Sequence, residues 1–159
     1  MKNAKNTTLD DVDKALLRAL QTDGRLSNVQ LAREINLSPP ATHARLRRLE
    51  EEGYIRQYTA VVDREKAGYD LLCFIHIGMQ IHQRDQVNKF RTLIQKMPEV
   101  LECHHITGEY DYLLKVAVHN SKELEYFAIE KLTPIPGVAR IHTSLVFTEV
   151  KSTTALSLE

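Results

Sequence analysis

The sequence predicts an α+β protein of two domains, a three-helix domain followed by a four-stranded antiparallel sheet that carries two helices. Up to about Gly53 the apolar residues recur at helical spacing. Beyond it, stretches with a period of two alternate with helical stretches, which is typical of mixed α and β structure. We therefore predict a helical domain over residues 1–53, a hinge strand and linker over residues 54–70, and an α/β domain over residues 71–150. A C-terminal tail over residues 151–159 follows and is expected to fray.

Composition excludes several classes of protein. The chain has 159 residues, of which 43% are hydrophobic and 26% charged, with no net formal charge; this is typical of a folded globular protein. Its longest apolar stretch is far shorter than the roughly 20 residues that cross a bilayer, and its first residues lack the apolar segment of a secretory leader. Cys73 and Cys103 fit neither a zinc knuckle nor a disulfide framework. We expect a cytoplasmic protein.

The first helix is predicted from an apolar stripe. Val12, Leu16, Leu17 and Leu20 fall on one side of a helix. The polar pair at 23–24, an aspartate and a glycine, ends it.

Two further helices are predicted from their caps. Ser27 and Gln30 have the spacing of a capping box, in which each side chain bonds the backbone of the other. Asn36 tolerates the left-handed backbone of a tight turn between helices. Ser38 then caps the next helix, with proline at its first position, and Gly53 is placed to end it. Three short helices with a tight turn between the last two predict a helix-turn-helix.

The second half is predicted to run strand, helix, strand, strand, helix, strand. The predicted elements are residues 71–81, 85–97, 99–107, 112–118, 121–133 and 138–148. A faint repeat supports this order, because Pro98-Glu99-Val100 and Pro136-Gly137-Val138 each close a helix and open a strand. The order is that of a ferredoxin-like sandwich, an antiparallel sheet with both helices on one face.

The predicted sheet is apolar on both faces. Cys73, Ile75, Ile77 and Met79 share one face of the first strand, and Leu72 and Phe74 lie on the other. In the last strand, the residues Ile141, Leu145 and Phe147 oppose Val146. Because the helices cover one face only, the second must bury against another surface, most simply a second copy of the chain.

The third helix is the predicted nucleic-acid contact. Thr42, Leu46 and Leu49 are expected to pack inward. This leaves Arg47 and Arg48 outside, where a guanidinium bridges guanine O6 and N7 in the major groove. The N-terminus of the second helix offers groups to phosphates. The residues predicted to bind DNA are Ser27, Asn28, Ser38, Pro40, His43, Arg47 and Arg48. The alternative is a solvated face, in which Arg45, Arg47 and Arg48 pair with Glu50, Glu51 and Glu52.

These residues resemble a known family. In the N-terminal half the similarity lies in Leu9-Asp10, Asp13, Leu16-Leu17, Leu20-Gln21, Asp23-Gly24-Arg25, Ser27, Leu31-Ala32, Leu37-Ser38, Arg45, Leu49-Glu50, Gly53 and Ile55. In the C-terminal half it lies in Pro98-Glu99-Val100, Thr107–Leu114 and Pro136-Gly137-Val138. Together they resemble the Lrp/AsnC family, the leucine- and asparagine-responsive feast/famine regulators, over residues 9 to 151.

The resemblance implies a function. Members of this family are transcription regulators that bind operator DNA as dimers, often assemble into tetramers or octamers, and respond to amino acids held between effector domains. We therefore expect a homo-oligomeric, DNA-binding regulator without enzyme activity and without a cofactor other than its amino-acid effector.

The resemblance also implies an effector site. The loop Gly108-Glu109-Tyr110-Asp111 joins two adjacent strands, and Asp111 is expected to meet the ammonium group of an amino acid. The full expected set is His105, Gly108, Glu109, Tyr110, Asp111, Ser144, Leu145 and Val146. An apolar amino acid fits the aliphatic positions, although cysteine, asparagine and lysine stay open. The alternative is a plain turn that Asp111 caps.

Other functions are less well supported. His104 and His105 are consecutive in a strand and point to opposite faces, so they do not chelate one ion, and His76 and His82 lack a partner at ligand spacing; no metal site is expected. The alternative functions are a stand-alone metabolite-binding module or a small ferredoxin-like enzyme, in which the helical domain contacts protein. Against an enzyme, the sequence has no glycine-rich phosphate loop and no nucleophile motif.

Overall fold

The computed structural model describes residues 8–80 and 84–159. The chain forms two compact units. One comprises the chain up to Val61 together with Lys151–Glu159, and the other comprises Val62–Val150. Ile81 and His82 lie outside the described residues.

The first unit contains the three predicted helices, α1 (Asp11–Thr22), α2 (Asn28–Glu34) and α3 (Pro39–Glu51). Their shared core is made of side chains that are almost completely buried: Leu16, Leu17, Ala19, Leu31 and Leu49. Thr42 is buried with them, and its hydroxyl donates to the carbonyl of Ser38 at 3.1 Å. The inward stripe predicted for α3 is therefore confirmed at Thr42 and Leu49.

The helix caps follow the sequence. Ser27 and Gln30 form the predicted capping box on α2, and Ser38 caps α3 with proline at its start. Asn36 has φ 55° and Gly53 has φ 78°, the left-handed backbone predicted for both. One cap was missed. Asp10 forms a second capping box with Asp13 at the start of α1.

The predicted hinge strand is wrong for this chain. Residues 56–63 have neither helix nor strand, and a turn follows at residues 64–68. A strand needs a neighbouring backbone to bond with, and within the described residues this segment is not paired. Val61 and Val62 remain 94% and 70% exposed.

The second unit has the predicted βαββαβ order. Its elements are β1 (Leu71–Met79), α4 (Arg84–Ile94), β2 (Val100–His105), β3 (Tyr112–Val118), α5 (Ser121–Tyr126) and β4 (Val138–Leu145), with a π-helical stretch over Phe127–Leu132 that continues α5. The strands lie in the order β2-β3-β1-β4 and all pairs are antiparallel. The ferredoxin-like sandwich is confirmed.

The core of this unit lies between the sheet and the helices. Cys73, Ile75 and Ile77 of β1 are completely buried, and Phe90 of α4 and Phe127 pack against them. The odd-numbered residues of β1 therefore face the helices, as the alternation predicts.

The other side of the sheet is called the open face here. The strand register places on it Phe74 and His76 of β1, Lys115 of β3, and His142 and Ser144 of β4. This face is more polar than the sequence suggests. The apolar pair Leu72 and Ala117 is already buried in the single chain, and Leu145 pairs with Cys73 on the side of the helices.

Candidate nucleic-acid interface and ligand-binding loop

One side of α3 is free of the helical core. Pro40, His43 and Arg47 are exposed on it. Arg47 donates through Nε to Glu51 Oε1 at 2.8 Å, one helical turn further on, and both side chains stay more than 60% exposed. Such a solvated pair contributes little to stability, so Arg47 can exchange Glu51 for an anionic partner at small cost.

The polar groups at the starts of α2 and α3 already have partners. The Ser27 hydroxyl lies 2.7 Å from Gln30 Oε1, and the Ser38 hydroxyl accepts from the backbone N–H of Ala41 at 3.4 Å. The Asn28 amide donates to the carbonyl of Pro39 at 2.8 Å. Asn28 thus fixes the start of α3 against the start of α2.

Arg48 does not lie on the outer side of α3, and this part of the prediction is wrong. Its guanidinium donates to the carboxylate of Asp13 on α1. Arg45, three residues earlier and on the same side of the helix, donates to Asp13 at 2.9 Å and to Asp10 at 2.6 Å. The reason is Asp13 itself, which is 1% exposed, because a buried carboxylate needs charged partners.

This ion-pair cluster shifts the ionisation of its outer members. The pKa of Asp10 lies below its usual range because the backbone N–H of Asp13 and the Arg45 guanidinium stabilise the carboxylate. The pKa of Arg45 is raised by its hydrogen bonds to Asp10 and Asp13. The cluster joins α1 to α3 by charge as well as by apolar packing.

The predicted ligand-binding loop is held at one end by Asp111. The backbone N–H of Asp111 donates to the carbonyl of Ile77 at 2.9 Å, and the Asp111 carboxylate accepts from the backbone N–H of Met79 at 2.6 Å. Gly108 has φ 116°, a backbone conformation that favours glycine. Asp111 therefore has the structural role that the turn alternative gave it, since it ties the start of β3 to β1.

Glu109 and Tyr110 lie against the open face. Both the side chain and the carbonyl of Glu109 accept from the Arg140 guanidinium, at 3.2 and 2.7 Å. That guanidinium also lies over the Tyr110 ring, 5.0 Å from its centre. The Tyr110 ring in turn lies 5.3 Å from the ring of His76 and 6.2 Å from that of His142.

Arg140, His76 and His142 were not predicted as site residues. A signal for two of them is present in the sequence, because Arg140, His142 and Ser144 alternate along β4 and so share one face. Ser144 Oγ lies 3.4 Å from His142 Nε2. The structure thus brings Ser144 and the loop residues together through His142 and Tyr110.

His105 and Leu145 lie elsewhere. The register places His105 opposite Tyr112, on the side of the sheet that faces α4, and the two rings are 5.0 Å apart. There His105 lines a cleft of about 480 Å³ between α4 and β2, with Arg91, Gln95 and Cys103. Cys103 is exposed, but the walls of the cleft partly desolvate its thiol and so raise its pKa. Leu145 is half exposed at the end of β4, and the Val146 N–H donates to the carbonyl of Leu72 at 2.9 Å.

Among residues 8–80 and 84–159, no three histidine, cysteine or acidic side chains are placed to hold a metal ion. Over that part of the chain, no helix is long and apolar enough to cross a membrane.

Two family models match the two halves of the chain. A winged helix-turn-helix DNA-binding model matches residues 9–56, and a Lrp/AsnC ligand-binding domain model matches residues 72–156. The boundary between the two models falls in the segment between α3 and β1.

Relatives match over nearly the whole length. The leucine-responsive regulatory protein of Escherichia coli K12 is 37% identical over 158 residues, which cover 99% of this chain and 96% of the relative. The transcriptional regulator AzlB of Bacillus subtilis is 35% identical, covering 95% and 96%.

Solved structures agree. A transcriptional regulator from Neisseria meningitidis, crystallised with L-methionine, matches with a TM-score of 0.90 and 37% identity, covering 94% of this chain and 97% of the other. Escherichia coli AsnC matches with a TM-score of 0.85 and 26% identity, covering 93% and 98%. The relatives are transcription regulators, which argues against the enzyme alternative.

Proposed function

The chain belongs to the Lrp/AsnC family of DNA-binding transcription regulators that respond to amino acids, and we propose that it reads promoter DNA with α3 and changes its DNA affinity when an apolar amino acid binds the second unit. We infer a cytoplasmic location, where the DNA is. The observation that supports this most is that one chain contains both a capped, exposed α3 and a second unit that matches a ligand-binding domain.

For DNA contact we propose the exposed side of α3. Pro40, His43 and Arg47 are free of the core there, and Arg47 has a weak partner that a guanine or a phosphate can replace. Ser27, Asn28 and Ser38 lie at the helix starts, where exposed hydroxyl and backbone N–H groups suit phosphates. Arg48 keeps a supporting role through Asp13.

For the effector we propose the loop Gly108–Asp111 and the adjacent open face. Arg140 supplies a cation for the carboxylate of an amino acid, Asp111 an anion near its ammonium group, and Ser144 a hydroxyl. Leucine and methionine are the first amino acids to test, because one relative is named for leucine and another was crystallised with methionine. Val146 remains a candidate contact for the side chain, whereas His105 and Leu145 lie on the side of the helices and are weaker candidates.

We propose a homodimer through the open face, with assembly to tetramers or octamers. Phe74 and Leu113 lie on this face and are only partly buried, whereas the helices of the unit cover the other face. A second copy would bury them, since an apolar sheet face needs a covering layer. Sedimentation velocity measures the oligomer directly, and a monomer at micromolar concentration would contradict the proposal.

The decisive experiment measures binding of the full chain to a fragment of its own promoter at two salt concentrations. We expect affinity to fall as salt rises, because phosphate contacts release counterions. Arg47→Ala should weaken promoter binding about tenfold or more, by loss of one good base contact, with the oligomer unchanged. Arg84→Ala, which removes an exposed arginine of α4, is the charge-matched control. Binding that ignores salt, or equal loss in both variants, would contradict the proposal.

The effector is tested separately by a thermal-shift screen over the twenty amino acids. A ligand that binds only the folded protein increases the free energy of unfolding by mass action, by about 2.7 kcal/mol at a ligand concentration of a hundred times Kd. The Tm rises as a result. We expect leucine or methionine to raise Tm and the charged amino acids to leave it unchanged. A shift by none of the twenty would contradict the effector assignment and leave the DNA experiment to stand alone.

A further inference from the structure

The last described segment of the chain is part of the helical unit. Residues 151–159, called the strap here, group with the three helices and not with β4, from which they follow. The sequence predicted a frayed tail, and that prediction is wrong. The strap lies along α1 and is bonded to it at several points.

The first attachment is made by Gln21 near the end of α1. Its side-chain amide donates to the carbonyl of Leu156 at 3.1 Å and accepts from the N–H of the same residue at 2.6 Å. One side chain therefore satisfies both backbone groups of Leu156, as a neighbouring strand would.

Two cations continue the attachment along the same side of α1. The Arg18 guanidinium donates to the carbonyl of Leu158 at 2.5 Å, and the Lys14 ammonium donates to the carbonyl of Glu159. Residues 14, 18 and 21 are four and three positions apart, so they form one stripe on the helix. Charge-assisted bonds of this kind are stronger than neutral ones.

An apolar contact completes the docking. The side chain of Leu158 is partly buried against the core of the helical unit, whereas Leu156, two residues earlier, is 71% exposed. The neighbouring Ser157 is exposed. Leu158 is therefore the apolar anchor of the strap, and the bonds to the backbone set its register.

The strap is hydrogen-bonded to α1, and α1 is in turn joined to α3 by ion pairs. Asp13 on α1 accepts hydrogen bonds from Arg45 and Arg48 of α3. We propose that the strap is a working part of the DNA-binding unit, in which Gln21 and Leu158 are positioning residues that hold α1, and through Asp13 the helix α3, in place for DNA. This rests on the proposed DNA contact by α3.

The test uses the full chain with single substitutions in the strap. Leu158→Asp removes the anchor, Leu158→Met preserves it, and Ser157→Asp adds the same charge one residue away without touching the anchor. Hydrogen exchange is followed at the amides of α1, α3 and β1, together with affinity for promoter DNA and for unrelated DNA.

We expect Leu158→Asp to speed exchange in α1 and α3 about tenfold, the scale of losing one buried apolar side chain, with β1 unchanged. Promoter affinity should fall, and fall more than affinity for unrelated DNA, because a displaced α3 loses base contacts before phosphate contacts. Leu158→Met and Ser157→Asp should match the unchanged protein.

Unchanged exchange in α1 and α3 of Leu158→Asp would overturn the proposal, and so would faster exchange with promoter affinity intact. If the unchanged protein itself binds no promoter DNA, the proposed function fails. The positioning role in DNA binding then fails with it, while the exchange measurement still reports whether the strap holds the helices.

Discussion

The guanidinium of Arg48 on α3 donates a hydrogen bond to the carboxylate of Asp13 on α1, a side chain that is only 1% exposed. Arg45 donates to the same carboxylate. The helix α3, whose Arg47 we propose contacts DNA, therefore uses its other two arginines to fix its own position. Charge on such a helix has two functions, and the direction of each side chain decides which one it serves.

Asp13→Asn tests this relationship. We expect the free energy of unfolding of the helical unit to fall by about 1–3 kcal/mol, because a neutral amide is a weaker acceptor for two guanidinium groups that it leaves under-compensated. Urea unfolding followed by circular dichroism measures the loss. Asp11→Asn, at an exposed position of the same helical turn, is the control, and equal stability of the two variants would show that the buried pair contributes nothing.

Asp10 should make the stability depend on pH at the acid end. Its folded pKa lies below the unfolded value because the Asp13 N–H and Arg45 stabilise the carboxylate. The carboxylate therefore stabilises the fold above its unfolded pKa, and this contribution is lost as pH falls through the folded pKa. The unchanged protein should be more stable than Asp10→Asn near pH 7, and the two should converge as the pH falls below about 4, the ordinary pKa of an aspartate. A constant difference across that range would contradict the assignment.

Gly53 should be required at the end of α3. Its φ of 78° is a left-handed conformation that residues with a Cβ adopt at a cost. Gly53→Ala should therefore lower the free energy of unfolding by about 1–2 kcal/mol, although the added Cβ itself meets open space. Gly24→Ala is the matched control, since its added Cβ also makes only ordinary contacts and no left-handed φ is involved. Similar Tm values for the two variants would mean that α3 does not need this turn.

Asp111 combines a structural role with a proposed ligand contact, and two substitutions separate them. Asp111→Ala removes the acceptor of the Met79 N–H and should cost about 1–3 kcal/mol, the penalty of an unpaired buried donor. Asp111→Asn keeps an acceptor oxygen but removes the charge. We expect near-normal Tm for this variant, with loss of the Tm increase on adding the amino-acid ligand. A retained increase would leave Asp111 as a turn residue only.

Local signals in the sequence predicted the local structure well. The capping box at Ser27, the left-handed turn at Asn36 and the cap at Ser38 depend on neighbours within a few residues, and all three are present. Strand alternation likewise predicted which residues of β1 are buried. Such features need no knowledge of distant contacts.

The errors arose where a distant partner decides the outcome. Arg48 turns inward because a buried aspartate lies 35 positions earlier in the chain. The strap docks because Gln21 lies 135 positions before Leu156. The effector set was split for a different reason. His105 and Ser144 lie on opposite faces of the sheet, and only the register of three strand pairs shows this.

The helical unit is discontinuous in the chain, because residues 62–150 are inserted between α3 and the strap. During synthesis the three helices leave the ribosome before the inserted unit, and the strap emerges after it. The helices must therefore wait for almost a hundred residues, roughly five to twenty seconds at ordinary translation rates, before their last contact forms. The helical unit therefore gains its contacts with the strap only after the ligand-binding domain has been made.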